Sequence, residues 1–328
     1  MRATVSKDGS GEFTTVAEAA KAAHGDKMEI YIKNGWYREK LTLFANEIQL
    51  VGEDPDRTVI SFGDGANFLG ANGEMLGTFR SYTLYMNARR ALLENLSVKN
   101  TAGNGDIAGQ AVAVYTDSSL ARFEHVNITS RQDTLFLAPL PDQPRIPDSF
   151  KGPGEQMPRR PCMDYFRDCR VEGDVDFIFG GAEAAFENCE IVSANRGKSI
   201  NGYVTAACTP LDQTYGFLFY RCRLDSDCAP GTVYLGRPWR EHAAAAFLNC
   251  KIGSHITERG WADWEGRPQD RTAVRFEEFG NRGSGSAVSA RAPWVHLLTR
   301  KEAARRINRI HEIDRLTLQS QRNRPENF

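Results

Sequence analysis

Long apolar runs are absent from this chain of 328 residues, and its charges nearly balance. No stretch approaches the roughly 20 apolar residues of a membrane-spanning helix, so we expect no membrane partner. The formal net charge of −1 gives no whole-chain bias toward nucleic acid, and we expect no nucleic-acid partner. The first residues also lack an apolar signal region, which predicts a cytoplasmic protein. A signal peptide removed from the sequence would instead predict secretion.

Cysteine pairs, clustered histidines and nucleophile elbows are also missing. The seven cysteines contain no C-x-x-C pair and the six histidines are scattered, so we expect no metal site. No G-x-S-x-G motif occurs, which argues against a serine esterase. The glycine-rich pieces Gly9–Gly11 and Gly283–Gly285 lack the strand–helix setting of a nucleotide site. The sequence therefore predicts a protein without a cofactor.

A short phrase of the form apolar-x-polar-apolar-x-apolar recurs at intervals of 20 to 43 residues. Its fourth positions are Leu96, Val126, Cys169, Cys189, Cys222 and Cys250. Free cysteine behaves as a small hydrophobe in such a place, which argues against a disulfide framework. Because one such strand cannot bury its apolar face alone, the repeat predicts stacked coils of a parallel β-solenoid with an inner ladder of these residues. Irregular intervals fit this all-β architecture better than the alternatives, a β-sandwich or a propeller.

Two helices are predicted near the ends of the chain. Residues 14–24 carry helix formers after a threonine, which predicts a short N-terminal capping helix. Glu302–Leu318 has apolar residues three or four positions apart, which predicts an amphipathic helix packed against the C-terminal end of the solenoid. A partner or nucleic-acid surface is the alternative. We expect a single monomeric domain over residues 1–328, with a helical extension from residue 293 and a tail over residues 319–328.

Residues 139–161 are dense in proline and glycine and fall within the longest interval between phrases. This composition predicts an inserted loop. One interpretation makes the loop a wall of a binding cleft, with Lys151, Arg159 and Arg160 facing an anionic ligand. The other makes it a surface excursion whose charges are solvated.

One carboxylate is set among apolar neighbours. Residues 172–181 read E-G-D-V-D-F-I-F-G-G, a strand-like run bounded by glycines, with Asp176 near its centre. Burying an unpaired carboxylate is costly, so such a residue is normally paired, neutralised or employed in chemistry. A solvated aspartate at a strand end is the simpler interpretation, and Asp174 is a second candidate for a working carboxylate.

Five motifs, in this order, resemble those of the pectin methylesterases, a family of carbohydrate esterases. They are G-W-Y-R-E at 35–39, G-Q-A-V-A-V at 109–114, Q-D-T-L-F at 132–136, D-F-I-F-G at 176–180 and L-G-R-P-W at 235–239. The segment at 8–16 resembles the opening of that family, and the likeness extends from about residue 5 to residue 264. The resemblance implies a single-stranded, right-handed parallel β-helix, in agreement with the repeat.

The resemblance also implies a catalytic set. Asp176 would attack a methyl ester while Arg237 holds it ionised and oriented. Asp133 would protonate the departing methoxide and then activate water. Gln110 and Gln132 would donate hydrogen bonds to the tetrahedral oxyanion. Taken singly, Gln110 could instead end a strand and Arg237 could belong to a structural turn.

The substrate-binding side chains are implied in the same way. Trp239 and Phe136 would stack on sugar rings, although Trp239 alone also suits a core position. Val175 and Phe179 would line the pocket near the ester. Arg131 stands where the family usually has an aromatic residue, and a cation there would favour a free galacturonate carboxylate. With the loop and the missing signal, this departure predicts short, partly demethylated oligogalacturonides inside a bacterial cell as substrates.

The sequence therefore predicts a pectinesterase that releases methanol from methyl-esterified homogalacturonan or oligogalacturonides. Two alternatives stay open. A β-helix lyase or hydrolase would cut the polysaccharide backbone, and a lyase would form an unsaturated product that absorbs ultraviolet light. A noncatalytic pectin-binding β-helix would bind pectin without releasing methanol.

Overall fold

The computed structural model describes residues 2–23, 26–264 and 271–318. Its helices are α1 (Val16–Ala22), α2 (Gly105–Ala108) and α3 (Arg300–Leu318), with a 3₁₀ turn at Thr78–Arg80. Its strands are β1 (Arg2–Val5), β2 (Lys27–Ile32), β3 (Gly35–Arg38), β4 (Leu41–Gly52), β5 (Thr58–Phe62), β6 (Leu84–Asn100), β7 (Val114–Thr116), β8 (Leu120–Thr129), β9 (Leu135–Leu137), β10 (Met163–Arg167), β11 (Arg170–Gly173), β12 (Ile178–Gly180), β13 (Glu183–Glu187), β14 (Glu190–Ser193), β15 (Gly202–Ala207), β16 (Phe217–Tyr220), β17 (Arg223–Ser226), β18 (Val233–Gly236), β19 (Ala244–Leu248), β20 (Lys251–Ile252), β21 (Arg275–Phe279) and β22 (His296–Leu297).

These strands line three faces of a solenoid. The first face runs β1-β2-β4-β6-β8-β10-β13-β16-β19-β21-β22. The second runs β3-β5-β6-β8-β11-β14-β17-β20. The third runs β4-β6-β7-β9-β12-β15-β18. Each of these pairings is parallel, and the long strands β4, β6 and β8 turn corners between faces. The predicted parallel β-helix is confirmed.

The recurring phrase forms a bend between the first two faces and not one straight strand. In six coils its third residue has a left-handed backbone with φ between 52° and 56°, namely Asn95, His125, Asp168, Asn188, Arg221 and Asn249. Asn, Asp and His tolerate this region better than other non-glycine residues, which explains the recurring polar position. The bend sends the first half of the phrase into the first face and the second half into the second face, as in β10 and β11.

The inner ladder of the solenoid is confirmed. Its six predicted residues are at most 2% exposed, and all of them belong to the main apolar core. Beside the ladder, five phenylalanine rings stack with centroids 4.3–4.6 Å apart, namely Phe123, Phe166, Phe186, Phe219 and Phe247. Each ladder thiol also donates to the carbonyl of a phenylalanine on the preceding coil, as Cys169 does to Phe123 at 3.4 Å. All seven cysteines are buried free thiols.

Helix α1 occupies the predicted N-terminal position. The Thr15 side chain accepts a hydrogen bond from the amide of Glu18, and Val16 and Ala19 are buried against the first coils. His24, the last residue of the predicted span, lies outside the described residues. None of the described helices is long and apolar enough to cross a membrane.

The C-terminal helix lies along the flank of the solenoid, so the prediction that it packs against the C-terminal end is wrong. Its residues Arg306, Arg309 and Asp314 form ion pairs with successively earlier strands, through Glu277 of β21, Glu183 of β13 and Arg122 of β8. The reason is that the outer side of the first face is itself apolar and must be covered. It presents Tyr165, Ala185, Leu218, Ala246 and Leu248 to the buried side of α3. The predicted tail, residues 319–328, lies outside the described residues.

Candidate active site

Two of the predicted acids occupy equivalent positions on neighbouring coils. Strand β9 pairs with β12 so that Leu135 lies opposite Ile178, and the same offset of 43 residues relates Asp133 to Asp176. The Asp133 amide accordingly donates to the carbonyl of Val175 at 2.9 Å. Neighbouring strands lie about 4.8 Å apart. Carboxylates that are distant in sequence are therefore brought together on the third face.

Both aspartates have a left-handed backbone, with φ of 60° at Asp133 and 51° at Asp176. Such a residue interrupts the strict alternation of side chains along a strand. Asp176 and Phe179 consequently line the same cleft, although alternation alone would not place them on one side. Sparsely populated backbone conformations cluster at functional sites because the surroundings must enforce them.

A cleft of about 280 Å³ contains all five residues of the predicted catalytic set. We call it the aspartate cleft, and its lining is Thr78, Phe79, Gln110, Gln132, Asp133, Arg145, Ile146, Ser149, Phe150, Asp176, Phe179, Ala206, Arg237, Trp239, Arg240 and Trp264. Phe179 and Trp239 are the predicted substrate-binding residues that line it.

Arg237 binds Asp176 with both arms of its guanidinium group. Nε donates to Oδ1 at 2.9 Å and Nη2 donates to Oδ2 at 2.6 Å. The residue comes from the end of β18, two coils beyond Asp176, and its amide is held by the carbonyl of Thr205. A bidentate pair of this kind fixes both the charge and the direction of the carboxylate.

Two aromatic rings enclose the Arg237 guanidinium. Its Cζ lies 3.9 Å from the ring centroid of Tyr203 and 4.2 Å from that of Trp264. By strand register, Tyr203 is the residue of β15 that corresponds to Asp176, so Arg237 reaches back across it. Cation–π contacts with both rings hold the guanidinium group in position.

The two aspartates have different electrostatic environments. Burial, and then the charge of Asp176, raises the pKa of Asp133 well above its usual value, and the charge of Arg237 and a hydrogen bond from Gln132 oppose the rise only in part. Burial also raises the pKa of Asp176, but Arg237 opposes that rise through its charge and through its direct hydrogen bonds to the carboxylate. The geometry therefore favours the proton on Asp133 and the charge on Asp176, which is the arrangement that a general acid beside a nucleophile requires.

Gln110 and Gln132 contribute amide side chains to the same cleft. The backbone places them on adjacent coils, because the amide of Ala111 donates to the carbonyl of Gln132 at 2.9 Å. Gly105 packs against the Gln132 side chain, and a Cβ at that position would lie 3.1 Å from its Oε1. The close approach restricts where the Gln132 amide can point.

Asp174, the alternative working carboxylate, does not line the aspartate cleft. It is 2% exposed, and its Oδ1 accepts a hydrogen bond from the backbone amide of Val175 at 2.6 Å. The structure therefore gives Asp174 a role in shaping the turn before β12 and gives Asp176 the position in the cleft.

Three predicted substrate-binding residues do not line the cleft. Phe136 has no exposed area because it is covered by Phe79, 4.9 Å away, and by Phe179, 4.8 Å away, so the prediction that it stacks on a sugar is wrong for this structure. Val175 is buried and holds the Asp133 backbone. Arg131 lines a separate depression among Glu172 and other acidic side chains, so it does not supply a cation to the cleft.

The loop at 139–161 is a wall of the cleft, as one of the two interpretations predicted. It contributes Arg145, Ile146, Ser149 and Phe150. The basic residues singled out from the sequence face elsewhere. Lys151 pairs with Asp148, while Arg159 donates to carbonyls within the loop and Arg160 donates to Asp117 and Ser119.

Sequence reasoning missed several lining residues because they come from segments without a motif. Phe79 comes from a 3₁₀ turn, and its ring packs on Phe136, Phe150 and Tyr115. Trp264 lies after the last matching motif. Its position three residues after Trp261 was the one sequence feature that could have pointed to it. Trp261 itself is fully buried in the core.

A larger depression of about 1240 Å³ lies between α3 and the end of the loop, where Arg159, Arg160 and Arg305 line it. None of the predicted catalytic residues lines it, so the chemistry is assigned to the smaller aspartate cleft. Within the described residues, no group of three or more His, Cys, Asp or Glu side chains is arranged to hold a metal ion.

The arrangement suits attack on a carbonyl carbon. An oriented carboxylate supplies a nucleophile, a neighbouring protonated carboxyl supplies a proton, and two amides supply hydrogen-bond donors. Trp239 supplies an aromatic surface at the edge of this group, 5.9 Å from Phe179 between ring centroids.

Sequence comparison relates the chain to pectinesterases. The family model described as Pectinesterase matches residues 2–140 and 158–311, and leaves out 141–157 within the loop. Pectinesterase QRT1 of Arabidopsis thaliana is 32% identical over 308 residues, which cover 91% of this chain and 73% of that protein. Probable pectinesterase/pectinesterase inhibitor 17 of Arabidopsis thaliana is 31% identical, with 89% of this chain and 52% of that protein covered. The chain spans about half the length of several such relatives.

Solved structures of pectin methylesterases share the fold. PemA from Erwinia chrysanthemi superposes with a TM-score of 0.73 at 29% identity, over 92% of this chain and 94% of that one. The carrot enzyme gives a TM-score of 0.74 at 27% identity, over 92% and 89% of the two chains. A mutant pectin methylesterase solved in complex with a hexasaccharide gives 0.75 at 28% identity, over 92% and 94%.

Proposed function

This chain belongs to the pectinesterase family, and we propose that it removes methyl esters from galacturonate units of pectin or oligogalacturonides and releases methanol. One observation carries the proposal. Asp176, held by both arms of Arg237, lies one coil from Asp133 in a cleft that also holds two glutamine amides. The cytoplasmic location and the monomeric state stay predictions.

The first step is attack by Asp176 on the ester carbonyl. Burial removes most water from its carboxylate, while Arg237 keeps it ionised and aimed. A carbon–oxygen bond forms between Asp176 and the carbonyl carbon, and the carbonyl oxygen becomes an oxyanion. Gln110 and Gln132 donate hydrogen bonds to that oxygen, and one such donor typically contributes about 10²–10³ to kcat.

The second step is departure of methanol. Methoxide is a poor leaving group, so it must take a proton as the bond to carbon breaks. Asp133 supplies that proton because burial and the neighbouring Asp176 charge raise its pKa. The product of this step is a mixed anhydride between Asp176 and galacturonate.

The third step is hydrolysis of the anhydride. Asp133, now ionised, accepts a proton from a water molecule, and the resulting hydroxide attacks the acyl carbon. Breaking the bond to Asp176 restores its carboxylate and releases galacturonic acid, which loses its carboxyl proton to solvent. The proton taken from water returns Asp133 to its starting state, so the cycle is balanced.

Trp239 is the aromatic surface on which we place a sugar ring, and Phe179, which is only 3% exposed, packs behind it. The hexasaccharide complex of a related pectin methylesterase supports a sugar-polymer ligand for this cleft.

Incubation with methylated pectin tests the proposal directly. We expect methanol release in proportion to newly formed carboxyl groups, with no shortening of the polymer. An unsaturated product that absorbs ultraviolet light would point instead to a backbone lyase. Pectin binding without methanol release would point to a noncatalytic binding protein.

A further inference from the structure

One of the five matching motifs, at residues 35–39, has no part in the aspartate cleft, since none of its residues lines it. Two of its side chains have structural roles. Tyr37 is fully buried in the core, where its hydroxyl donates to a backbone carbonyl at 2.8 Å, and Glu39 accepts hydrogen bonds from two amides at the start of α1. Strand alternation turns the other two large side chains, Trp36 and Arg38, away from the core on the second face. Their exposed side chains are therefore available to bind a ligand.

Trp36 presents an aromatic ring to solvent. It is 56% exposed, whereas the other four tryptophans are buried or half-buried. Leaving so large an apolar side chain in water forgoes the stabilisation that burial would give. Lys99 reaches back to this ring from β6, two coils further on, and its Nζ lies 5.5 Å from the ring centroid. The ring therefore has a cation beside it and an open surface toward solvent.

Two cations line this part of the second face. By strand register, Arg38 lies opposite Ser61 and Ser61 lies opposite Lys99, so the small serine separates the two basic residues. Two strand spacings of about 4.8 Å each put their backbones about 10 Å apart. Neither basic side chain forms an ion pair or a hydrogen bond with a carboxylate within the residues that the structure describes. We call Trp36, Arg38, Ser61 and Lys99 the Trp36 patch, and its net charge is positive.

The Trp36 patch has the chemistry to bind an acidic sugar polymer. An indole ring can pack on the C–H face of a pyranose, while an arginine or a lysine forms a charge-assisted bond with a carboxylate. Galacturonan without its methyl esters carries a carboxylate on every sugar. One chain can therefore present a sugar face to the ring and carboxylates to two cations about 10 Å apart. A fully methyl-esterified chain offers the sugar face alone.

We propose that the Trp36 patch is a second, noncatalytic binding site for de-esterified galacturonan, on a different face of the solenoid from the aspartate cleft. The inference rests on the proposed function, because de-esterified galacturonan is the product of that reaction. Binding at the patch holds the enzyme on pectin that it has already de-esterified, and so raises the local concentration of the remaining esters at the cleft. The patch residues contribute to retention on the polymer and not to the chemical step.

Native electrophoresis in gels that contain de-esterified polygalacturonate measures this binding without turnover. The apparent Kd, taken from the retardation at increasing polymer concentration, should rise about three- to tenfold in W36A and in R38Q/K99Q. W36Y keeps an aromatic ring and should bind nearly as the wild type does. The matched control is K301Q/R305Q, which also removes one lysine and one arginine, both of them exposed on α3. It should be retarded as strongly as the wild type.

A second polymer distinguishes sugar recognition from attraction by charge alone. In gels with polyglutamate, an anion without sugar rings, W36A should migrate as the wild type does. Wild-type retardation of W36A or of R38Q/K99Q by polygalacturonate would overturn the proposal. An equal loss of retardation in K301Q/R305Q, or an equal loss in W36A on polyglutamate, would overturn it as well.

Methanol release separates the Trp36 patch from the cleft. On a methyl-esterified trigalacturonate, which is too short to reach both faces, W36A and R38Q/K99Q should keep kcat/KM within about twofold of the wild type. On long, partly de-esterified pectin, their KM should rise about three- to tenfold with kcat unchanged. A lower kcat on the short substrate would overturn the noncatalytic role. Absence of methanol with every substrate would instead overturn the proposed function, and the electrophoresis would still decide the role of the patch.

Discussion

Arg237→Gln tests whether Asp176 works as an ionised nucleophile. The variant removes two hydrogen bonds, of 2.9 Å and 2.6 Å, and leaves the buried Asp176 carboxylate without its cation. A hydrogen bond to a charged group contributes about 1.5–3 kcal/mol, and about 1.4 kcal/mol corresponds to one pKa unit. Burial already raises the pKa of Asp176, with Arg237 opposing, so the loss of both bonds, about 3–6 kcal/mol, should raise it further.

The assay is methanol release from methylated pectin as a function of pH. Asp176 must be ionised to attack, so the acid limb of kcat should move to higher pH by about two to four units. Breaking a buried pair also costs about 3–5 kcal/mol of folding free energy, so folding is followed by circular dichroism at each pH. Arg237→Lys keeps the charge and should shift the limb less. A folded Arg237→Gln variant whose acid limb stays at the wild-type pH would refute ionisation control by Arg237.

Two further predictions concern the rest of the fold. Asp164 is fully buried without a hydrogen-bond partner among the described residues, and burial, then Asp117, raises its pKa well above the usual value. Because the pKa is raised in the folded state, the protein loses stability as the pH rises above about 4. The melting temperature of Asp164→Asn, relative to that of the wild type, should therefore increase with pH. A difference in melting temperature that does not change with pH would contradict this prediction. Arg122 is fully buried and joins β8 to Asp314 of α3 through an ion pair. Arg122→Ala should therefore lower the free energy of unfolding by about 3–5 kcal/mol and speed hydrogen exchange in residues 300–318, while methanol release is retained. Unchanged hydrogen exchange in α3 would contradict this prediction.

The coil architecture could be predicted because its repeat is local. Each phrase carries an apolar pair and a polar residue that tolerates a left-handed backbone, so composition and spacing together specify a bend that recurs in six coils. The pattern did not show where the bend falls, because Arg221 fills the same position as Asn95 and Asn188. The phrase was therefore expected to be one strand.

The catalytic set could be predicted because strand register fixes it. Asp133 and Asp176 each come just before a strand, β9 and β12 respectively, and these two strands pair in parallel. Stacking of the two coils therefore brings the two aspartates together. The sugar-binding prediction failed at Phe136 because its exposure depends on Phe79, which comes from a 3₁₀ turn far away in sequence. Nothing in the motif around Phe136 indicates that the Phe79 ring will cover it.

The position of α3 could have been predicted from the sequences of the strands, but not from the sequence of the helix. The runs F-L-F-Y of β16 and A-A-A-F-L of β19 are apolar at successive positions, which is typical of a sheet buried on both sides. The inner side takes Phe219 and Phe247 into the ring stack, so the outer side needs a second cover. Helix α3 supplies it with Ile310 and Ile313.

The loop at 139–161 was identified as an insertion by its composition, but its orientation depends on single contacts. Phe150 turns inward to Phe79 and Trp239, and this contact sets which basic residue faces the cleft. Arg145 therefore lines it, while Arg159 and Arg160 line the larger depression. A charge count cannot distinguish these arginines.

The central claim is that Asp176 and Asp133 act as a pair, and methanol release by three asparagine variants tests it most directly. Asp176→Asn and Asp133→Asn should each lose at least roughly 10²–10⁴-fold in kcat while their circular dichroism spectra match the wild type. Asp174→Asn is the matched control, because an amide oxygen can still accept the hydrogen bond from Val175, and it should retain activity within a few-fold. Wild-type release of methanol by a folded Asp176→Asn or Asp133→Asn protein would contradict the claim.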